Sequence, residues 1–267
     1  MGVDTPIHPH SQTHKLQMYS PYDFNQSIAH RAEYVEERLK GGSPVVGVAY
    51  DGGVLLFAVR RGPRKIFEIY DQMMFAALGN QADVEAVRLA AIDFCHQEGF
   101  QRSPDDVSAQ RLVGFAISPP LKRAFGDPMM TPNVMRAVFA EMGKAPEKDS
   151  FFVLNYDGEF TSSRRFAVAV GGDSSGDAMR ESLEKSLGDG VPDLQGALSA
   201  AAEAWRAGSR PRGDDDDEKT EGDSLAEALK EGRVEAAILD RRTSRESKFR
   251  LLRDDEIQPQ MNTDEHR

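Results

Sequence analysis

The sequence predicts an α+β fold in which two antiparallel sheets stack face to face and helices cover both outer faces. Predicted elements come in blocks of four strands, two helices, further strands, two helices and final strands. A parallel sheet would instead alternate single strands with single helices. Residues 54–59 are continuously apolar, which indicates a strand covered on both faces. The 267-residue chain is long enough to bury a large core without a metal or a disulfide.

The composition indicates a protein of the cytoplasm that binds neither nucleic acid nor membranes. A formal net charge of -11 disfavours a broad basic footprint and repels anionic membrane surfaces. No apolar run reaches the roughly 18 residues of a membrane span. The single cysteine, Cys95, excludes an intramolecular disulfide and fits a reducing compartment. We interpret it as a buried structural thiol rather than a nucleophile.

The first 42 residues divide into a polar segment and a helix. Residues 1–18 are polar and are expected to be disordered. Residues 22–40 are expected to form an amphipathic helix, because their apolar residues recur on one stripe: Phe24, Ile28, Ala32, Val35 and Leu39. Ser20-Pro21 before this stretch and Gly41-Gly42 after it are typical of a helix start and stop.

Four short strands are expected within residues 43–79. They are predicted at 45–50, 54–59, 66–69 and 73–78, separated by Asp51-Gly52-Gly53 and by Arg61-Gly62-Pro63. The first of these turns favours a tight hairpin, because glycine tolerates positive φ. Gly79 ends the last strand.

Helices and further strands are expected after residue 79. A first helix is predicted at 82–98, closed by Gly99, and a second from Ser103 to 117, with a break or kink at Pro119-Pro120. Two more are predicted at 177–187, capped by Ser174 or Ser175, and at 194–206. Strands are predicted at 134–140, 151–155, 166–170, 234–239 and 248–252. The acidic stretch 209–223 is expected to be a loop or a disordered insert, and 254–267 a disordered polar tail.

Residues 43–79 resemble the opening strands of the proteasome family. That pattern is a strand, an Asp/Asn-Gly hairpin, an apolar strand, a basic pair, Lys-Ile-x-x-Ile-x-Asp, an apolar strand and Gly. Residues 65–71, KIFEIYD, stand at its centre here. The resemblance extends more weakly over residues 19–253 and is to an α-type subunit of a bacterial 20S proteasome, of the actinobacterial kind. It implies one domain over 19–253 with the four-layer αββα sandwich of the N-terminal nucleophile (Ntn) hydrolases.

The same resemblance implies a structural and regulatory role. Such a subunit forms a seven-membered ring, caps rings of a separate β subunit and docks a ring-shaped ATPase activator, so that the complex degrades proteins. Residues 1–18 would lie near the pore as a gate segment. Pro21, Tyr22 and Tyr34 match residues of the gate and ring turn, with Tyr34 nine residues before Ser43.

Lys65 has two interpretations. It clusters with Arg60, Arg61 and Arg64, so it fits a solvated basic turn. By resemblance, α subunits keep this lysine in a pocket between neighbouring subunits, where it pairs with the C-terminal carboxylate of an activator tail. We expect no metal and no cofactor.

We expect no catalytic residue in this chain. Proteasome β subunits use an N-terminal threonine whose own amine is the base, and Ser43 stands at the matching place. However, Pro44 follows Ser43. The two positions that match the acids of the β-subunit catalytic group fall at Val59 and near Ala207. Of that group, only the lysine is present here, as Lys65.

Two alternatives stay open. In the first, the chain is a self-processed N-terminal nucleophile hydrolase that uses Ser43, which predicts the loss of residues 1–42. In the second, the chain forms a ring without β partners.

Overall fold

Two five-stranded antiparallel sheets form the middle of the fold, in a computed structural model that describes residues 21–209, 229 and 232–257. The strands are β1 (Val45–Tyr50), β2 (Gly53–Arg60), β3 (Ile66–Tyr70), β4 (Met73–Gly79), β5 (Met135–Glu141), β6 (Ser150–Leu154), β7 (Phe160–Ser163), β8 (Phe166–Ala169), β9 (Arg233–Asp240) and β10 (Phe249–Leu251). The first sheet has the order β10-β9-β2-β1-β8 and the second β3-β4-β5-β6-β7. The predicted pair of antiparallel sheets is confirmed.

Helices pack around the two sheets. They are α1 (Pro21–Leu39), α2 (Gln81–Gln101), α3 (Ala109–Arg111, Leu112–Ile117 and Ser118–Gly126 in continuity), α4 (Asp173–Leu187), α5 (Leu194–Ser209) and α6 (Asp254–Ile257). Side chains of α4 and α5 pack on the first sheet, and side chains of α2 and α3 pack on the second. A third apolar cluster lies between the sheets. Three apolar layers between four structural layers make the predicted αββα sandwich.

Strand β2 shows why its sequence is apolar throughout. Val54, Leu56 and Ala58 point into the cluster between the sheets. Leu55 and Phe57 point to the opposite face, toward α4 and α5. Alternate side chains of a strand face opposite sides, so a strand buried on both faces needs no polar positions. The interpretation of residues 54–59 is confirmed.

Helix α1 lies at one end of the sandwich and closes the space between the sheets. Val35 and Leu39 are both 0% exposed and belong to the inter-sheet cluster. Just after the helix, the Gly42 N–H donates to the Leu39 carbonyl oxygen at 2.8 Å. A helix therefore forms where the stripe at 22–40 predicts one, and its apolar side is part of the core.

Helices α2 and α3 differ from the prediction at their ends. Gly99 does not close α2, which continues to Gln101; a Cβ at Gly99 would lie 2.3 Å from the Tyr70 hydroxyl oxygen, so close packing explains this glycine. Ser103 caps only the one-turn 3₁₀ helix Pro104–Asp106, and Ser108 caps α3.

Pro119-Pro120 lies inside α3, where the prediction allowed a break or a kink. Residues Leu112–Ile117 form a π-helical stretch, and the Ser118 N–H reaches back five residues to the Val113 carbonyl. This local widening accommodates prolines, which lack an N–H group. Phe115, which the sequence places among the apolar residues of this helix, is 72% exposed.

Three further predictions need correction. Helix α4 begins at Asp173 with Gly172 at the N-cap position, so Ser174 and Ser175 lie inside the helix rather than at its cap. Strand β7 was not predicted, because all four of its residues are exposed and lack an apolar alternation. The tail expected at 254–267 begins as α6, because Ile257 packs in the first-sheet cluster at 5% exposure.

Some predictions lie outside the described residues. These are the gate segment 1–18, the acidic stretch 209–223 apart from Ser209, and the tail beyond residue 257. Within the described ranges, no helix is long and apolar enough to cross a bilayer.

Candidate functional site

The candidate site lies at the end of the sandwich where the chain crosses from one sheet to the other. Strand β2 of the first sheet ends at Arg60, and β3 of the second sheet begins at Ile66. Ser43 lies just before β1, beside the end of β2, because Val45 pairs with Ala58. The crossing therefore brings Lys65 next to Ser43, although 22 residues separate them in the chain.

The Lys65 ammonium is half-buried in this corner. Its Nζ donates a hydrogen bond to the Ser43 carbonyl oxygen at 2.7 Å. Burial lowers the pKa of Lys65 to about 8, and the negative charge of Glu235 partly opposes this effect. The side chain is therefore mostly charged at neutral pH, in a place where water stabilises that charge less well.

Glu235 organises the corner and was missed by the sequence analysis. It is 6% exposed, and its carboxylate accepts hydrogen bonds from the backbone N–H groups of Lys65 at 3.1 Å and Ile66 at 3.2 Å. The same carboxylate forms ion pairs with Arg60 at 3.2 Å and Arg64 at 3.6 Å. In the sequence, the feature that could have indicated Glu235 is an acid near the start of a strand whose central residues are apolar.

The Ser43 hydroxyl and the Lys65 ammonium have different hydrogen-bond partners. The Ser43 Oγ donates to the Val59 carbonyl oxygen at 2.6 Å, whereas Lys65 contacts the Ser43 backbone carbonyl. An N-terminal nucleophile also needs a free amine on the same residue. In this structure the Ser43 amide belongs to the continuous chain that leads back to α1.

The end of α1 and the segment that follows it are closely packed against β4 and against the residues that follow β8. A Cβ at Gly171 would lie 2.0 Å from the Leu39 carbonyl oxygen, and a Cβ at Gly42 would lie 2.6 Å from a Leu78 methyl carbon. Both glycines permit close approach. The chain before Ser43 is thus an integral part of the fold in this structure.

The predicted gate and ring residues lie on α1. Pro21 begins the helix and Tyr22 follows, and the side chains of both lie outside the described part of the chain. Tyr34 is 50% exposed. It lines an open groove of about 450 Å³ whose other lining residues are Gln26, Ser27, His30, Arg31 and Pro132.

Arg31 ties α1 to the end of α3. Its guanidinium donates to the carbonyl oxygens of Ala124 at 2.8 Å, Phe125 at 2.9 Å and Met130 at 2.7 Å. Carbonyl groups in the last turn of a helix lack partners within the helix, so a basic side chain placed there stabilises both elements.

A second, more buried contact holds the other end of α1. Glu36 accepts hydrogen bonds from Arg136 and, at 2.9 Å, from the Tyr156 hydroxyl. Arg136 is 9% exposed and also donates to Asn155 Oδ1 at 2.9 Å and to the Val170 carbonyl at 2.8 Å. One acid of α1 is therefore bound into a network that spans both sheets. Nothing in the local sequence predicts this network.

Within the described residues, no cluster of three or more His, Cys, Asp or Glu side chains is arranged to hold a metal ion. Cys95 is buried, and burial raises the pKa of its thiol to about 12, so its protonated form dominates at neutral pH.

Comparison with known proteins places these features in a family context. The family model "Proteasome subunit" matches residues 39–210. A "Proteasome subunit alpha" of Actinosynnema mirum is 32% identical over 231 residues, which cover 85% of this chain and 81% of the relative. One of Parafrankia sp. is 32% identical over 82% of this chain and 86% of the relative. One of Saccharomonospora viridis is 30% identical over 91% and 89%, respectively.

Proposed function

Since this chain belongs to the proteasome subunit family and is an α-type member of it, we propose that it is the non-catalytic subunit of a bacterial 20S core. In this proposal, seven copies form an outer ring that stacks on a ring of a separate β subunit. The ring gates the access of protein substrates from the cytoplasm and docks a ring-shaped ATPase activator. Peptide bonds are cut by the threonine nucleophile of the β subunit.

The observation that carries the docking role is the position of Lys65. Its ammonium has three N–H donors, and one of them is used by the Ser43 carbonyl at 2.7 Å. Another can bind the terminal carboxylate of an inserted tail. A charge-assisted contact is stronger where water is partly excluded, and the lowered pKa of Lys65 reflects such a place.

The arrangement of α1 supports the gating role. Gate residues must be held at a defined place relative to the ring, and α1 directly follows residues 1–20. Arg31 attaches the helix to α3, and Glu36 attaches it to Arg136 of β5 and to Tyr156. Val35 and Leu39 fill the core between the sheets.

A hydrolase that uses Ser43 is the second candidate function. The observation in its favour is that Lys65, with a pKa lowered to about 8, lies beside Ser43. A lysine with such a pKa can act as a base. Against this candidate stand the Ser43 hydroxyl, which donates to Val59 O at 2.6 Å, and the packed chain before Ser43.

Co-expression with the β subunit of the source organism tests the assembly. Native mass spectrometry should find full-length 267-residue subunits in rings of seven that associate with β subunits. Denatured mass from the same sample reports processing. A subunit that has lost residues 1–42 would support the Ser43 hydrolase instead. Full-length rings that never associate with β subunits would support an independent ring protein.

Docking is tested on the assembled complex with a ring ATPase of the same source. Lys65→Ala should abolish ATPase-stimulated degradation of an unfolded protein while the hydrolysis of short peptides persists, because only activator binding is lost. Lys144→Ala is the matched control. The Lys144 side chain is 80% exposed and comes after Glu141, at the end of β5 that is farther from Lys65. Equal stimulation of both variants would contradict the docking role of Lys65.

A further inference from the structure

The corner around Lys65 carries more positive charge than one terminal carboxylate can neutralise. We call the following five side chains the basic corner: Arg60, Arg61, Arg64, Lys65 and Arg233. Among the described residues, Glu235 is the carboxylate in ion-pair contact with this set, and it is shared between Arg60 and Arg64.

The strand register concentrates the charge at one place. Arg60 on β2 pairs directly with Arg233 on β9. Like charges directly opposite each other on neighbouring strands are destabilising. Glu235 lies diagonally from Arg60, because its own partner is Ala58. Its single negative charge relieves the repulsion only in part, so an anion added from outside would stabilise the corner.

The five cations differ in depth, and this order suggests how an anion enters. Lys65 is half-buried, with its Nζ bound to the Ser43 carbonyl. The Arg60 and Arg64 side chains are 33% and 46% exposed. Arg61 and Arg233 are exposed at the rim. A chain end bound at Lys65 can therefore place its preceding residues against the more exposed arginines.

Arg64 is held in place for such a contact. Its guanidinium carbon lies 5.7 Å from the centre of the Phe67 ring, and Arg88 lies 4.9 Å from the same ring. Stacking on an aromatic ring restricts an arginine that would otherwise sample many rotamers. A partly ordered guanidinium loses less entropy when it binds an acid.

We propose that the basic corner recognises acidic C-terminal tails, with the terminal carboxylate at Lys65 and preceding Asp or Glu side chains at Arg61, Arg64 and Arg233. This inference rests on the proposed docking role of Lys65 and adds the chemistry of the partner's tail. An internal acidic segment has no chain end to insert beside Lys65, so the depth order favours a terminus.

The test measures fluorescence anisotropy of labelled ten-residue peptides with the assembled complex at low salt. One peptide has three aspartates before a C-terminal leucine with a free carboxylate. In the second, serines replace the aspartates. The third is the acidic peptide with an amidated C-terminus. We expect the first peptide to bind best, and both the loss of the aspartates and the amidation to weaken binding.

Variants separate the rim from the pocket. Arg61→Ser/Arg233→Ser should weaken binding of the acidic peptide roughly threefold to tenfold, as expected for two exposed ion pairs, and should leave the serine peptide unchanged. Lys144→Ser/Arg242→Ser removes the same charge from two exposed side chains, 80% and 69% exposed, at the opposite end of the sandwich. This control should bind all three peptides as the parent does.

Each contrary result has a distinct meaning. Equal binding of the acidic and serine peptides would overturn the acidic-tail inference while leaving Lys65 docking intact. Equal binding of the amidated and free acidic peptides, insensitive to Lys65→Ala, would overturn both the tail geometry and the docking role. Failure of all three peptides to bind would also overturn both.

Discussion

At the residue scale, the protonation of Lys65 should control docking. Burial lowers its pKa to about 8 from the ordinary 10.5. The ammonium that binds a carboxylate is thus the main form below that pH and is lost as the pH rises through it. We expect peptide binding to be constant between pH 6 and 7 and to weaken above pH 8, up to about tenfold per pH unit. Anisotropy titrations with the acidic free-carboxylate peptide measure this directly.

A charge-preserving variant provides the control for this pH profile. Lys65→Arg keeps its charge throughout this range, so its residual binding should not fall above pH 8. It should bind less tightly at neutral pH, since a planar guanidinium does not replace a compact ammonium. A parent complex whose binding stays unchanged from pH 7 to 9.5 would show that Lys65 is not the group that binds the carboxylate.

Glu36 offers a second test at this scale. Glu36→Ala removes the carboxylate to which both Arg136 and Tyr156 donate. The Glu36 side chain is itself 33% exposed. We therefore expect a loss of about 1–3 kcal/mol in the free energy of unfolding. Urea denaturation of the isolated chain measures this loss.

The neighbouring Glu37 is the matched control for this substitution. Its side chain is 68% exposed and pairs with the equally exposed Lys40. Glu37→Ala should change the free energy of unfolding by less than about 0.5 kcal/mol. If both variants unfold at the same urea concentration, the buried network does not stabilise α1.

Single residues were only partly predictable from the sequence. Lys65 and Ser43 could be paired because both belong to one recognisable motif. Glu235 could not be, because its partners Lys65 and Ile66 lie 170 and 169 residues earlier in the chain. The same holds for Glu36 and Arg136, which are 100 residues apart. Side-chain contacts of this kind depend on sheet packing, which the local sequence does not encode.

At the scale of elements, the close packing between the end of α1 and the segment after β8 makes a sharp prediction. A Cβ at Gly171 would lie 2.0 Å from the backbone oxygen of Leu39, so Gly171→Ala must displace the end of the helix. We expect a destabilisation of about 1–3 kcal/mol, as for other overpacked sites. Ring assembly should weaken as well, and thermal unfolding together with native mass spectrometry reports both effects.

The next residue supplies the comparison for Gly171. A Cβ at Gly172 would meet no atom within 4 Å, and its φ of −148° suits any residue. Gly172→Ala should therefore cost only about 0.5–1 kcal/mol, because alanine is a poorer N-cap than glycine but meets no steric conflict here. Equal melting temperatures for the two variants would mean that α1 does not need close approach to the segment after β8.

Elements were predicted well where burial sets a pattern and poorly where it does not. The apolar run of β2 and the stripe of α1 both reflect faces that the structure buries. Strand β7 has no buried face, and its pairing with β6 comes from the neighbouring backbone rather than from its side chains. The end of α2 was misplaced because Gly99 was interpreted as a stop signal, whereas it makes room for Tyr70.

At the scale of the whole molecule, the order of the layers follows from the block order of strands and helices. Each pair of helices returns to the outer face of one sheet, which leaves the inner faces to pack together. The number of subunits in the ring does not follow from the order of strands and helices. Contacts between unlike surfaces of identical subunits leave no periodic pattern in the sequence. The ring of seven is therefore a proposal that rests on family membership.

Two truncations separate the gate from the body of the subunit. Removing residues 1–20 keeps the whole of α1 in the chain, including Val35 and Leu39 of the cluster between the sheets, so we expect the core to remain intact. We expect this variant to assemble with the β subunit and to hydrolyse short fluorogenic peptides several-fold faster than the full-length complex, since the proposed gate is gone. Equal rates for the two complexes would contradict gating by this segment.

Removing residues 1–42 should have the opposite outcome. This truncation deletes Val35 and Leu39 from the core between the sheets and Glu36 from its contacts with Arg136 and Tyr156. Loss of two buried apolar side chains alone costs about 4–10 kcal/mol, so we expect insoluble or unassembled protein. A soluble 43–267 chain that cleaves peptides by itself, and loses this activity on Ser43→Ala, would make Ser43 the nucleophile and overturn the non-catalytic proposal.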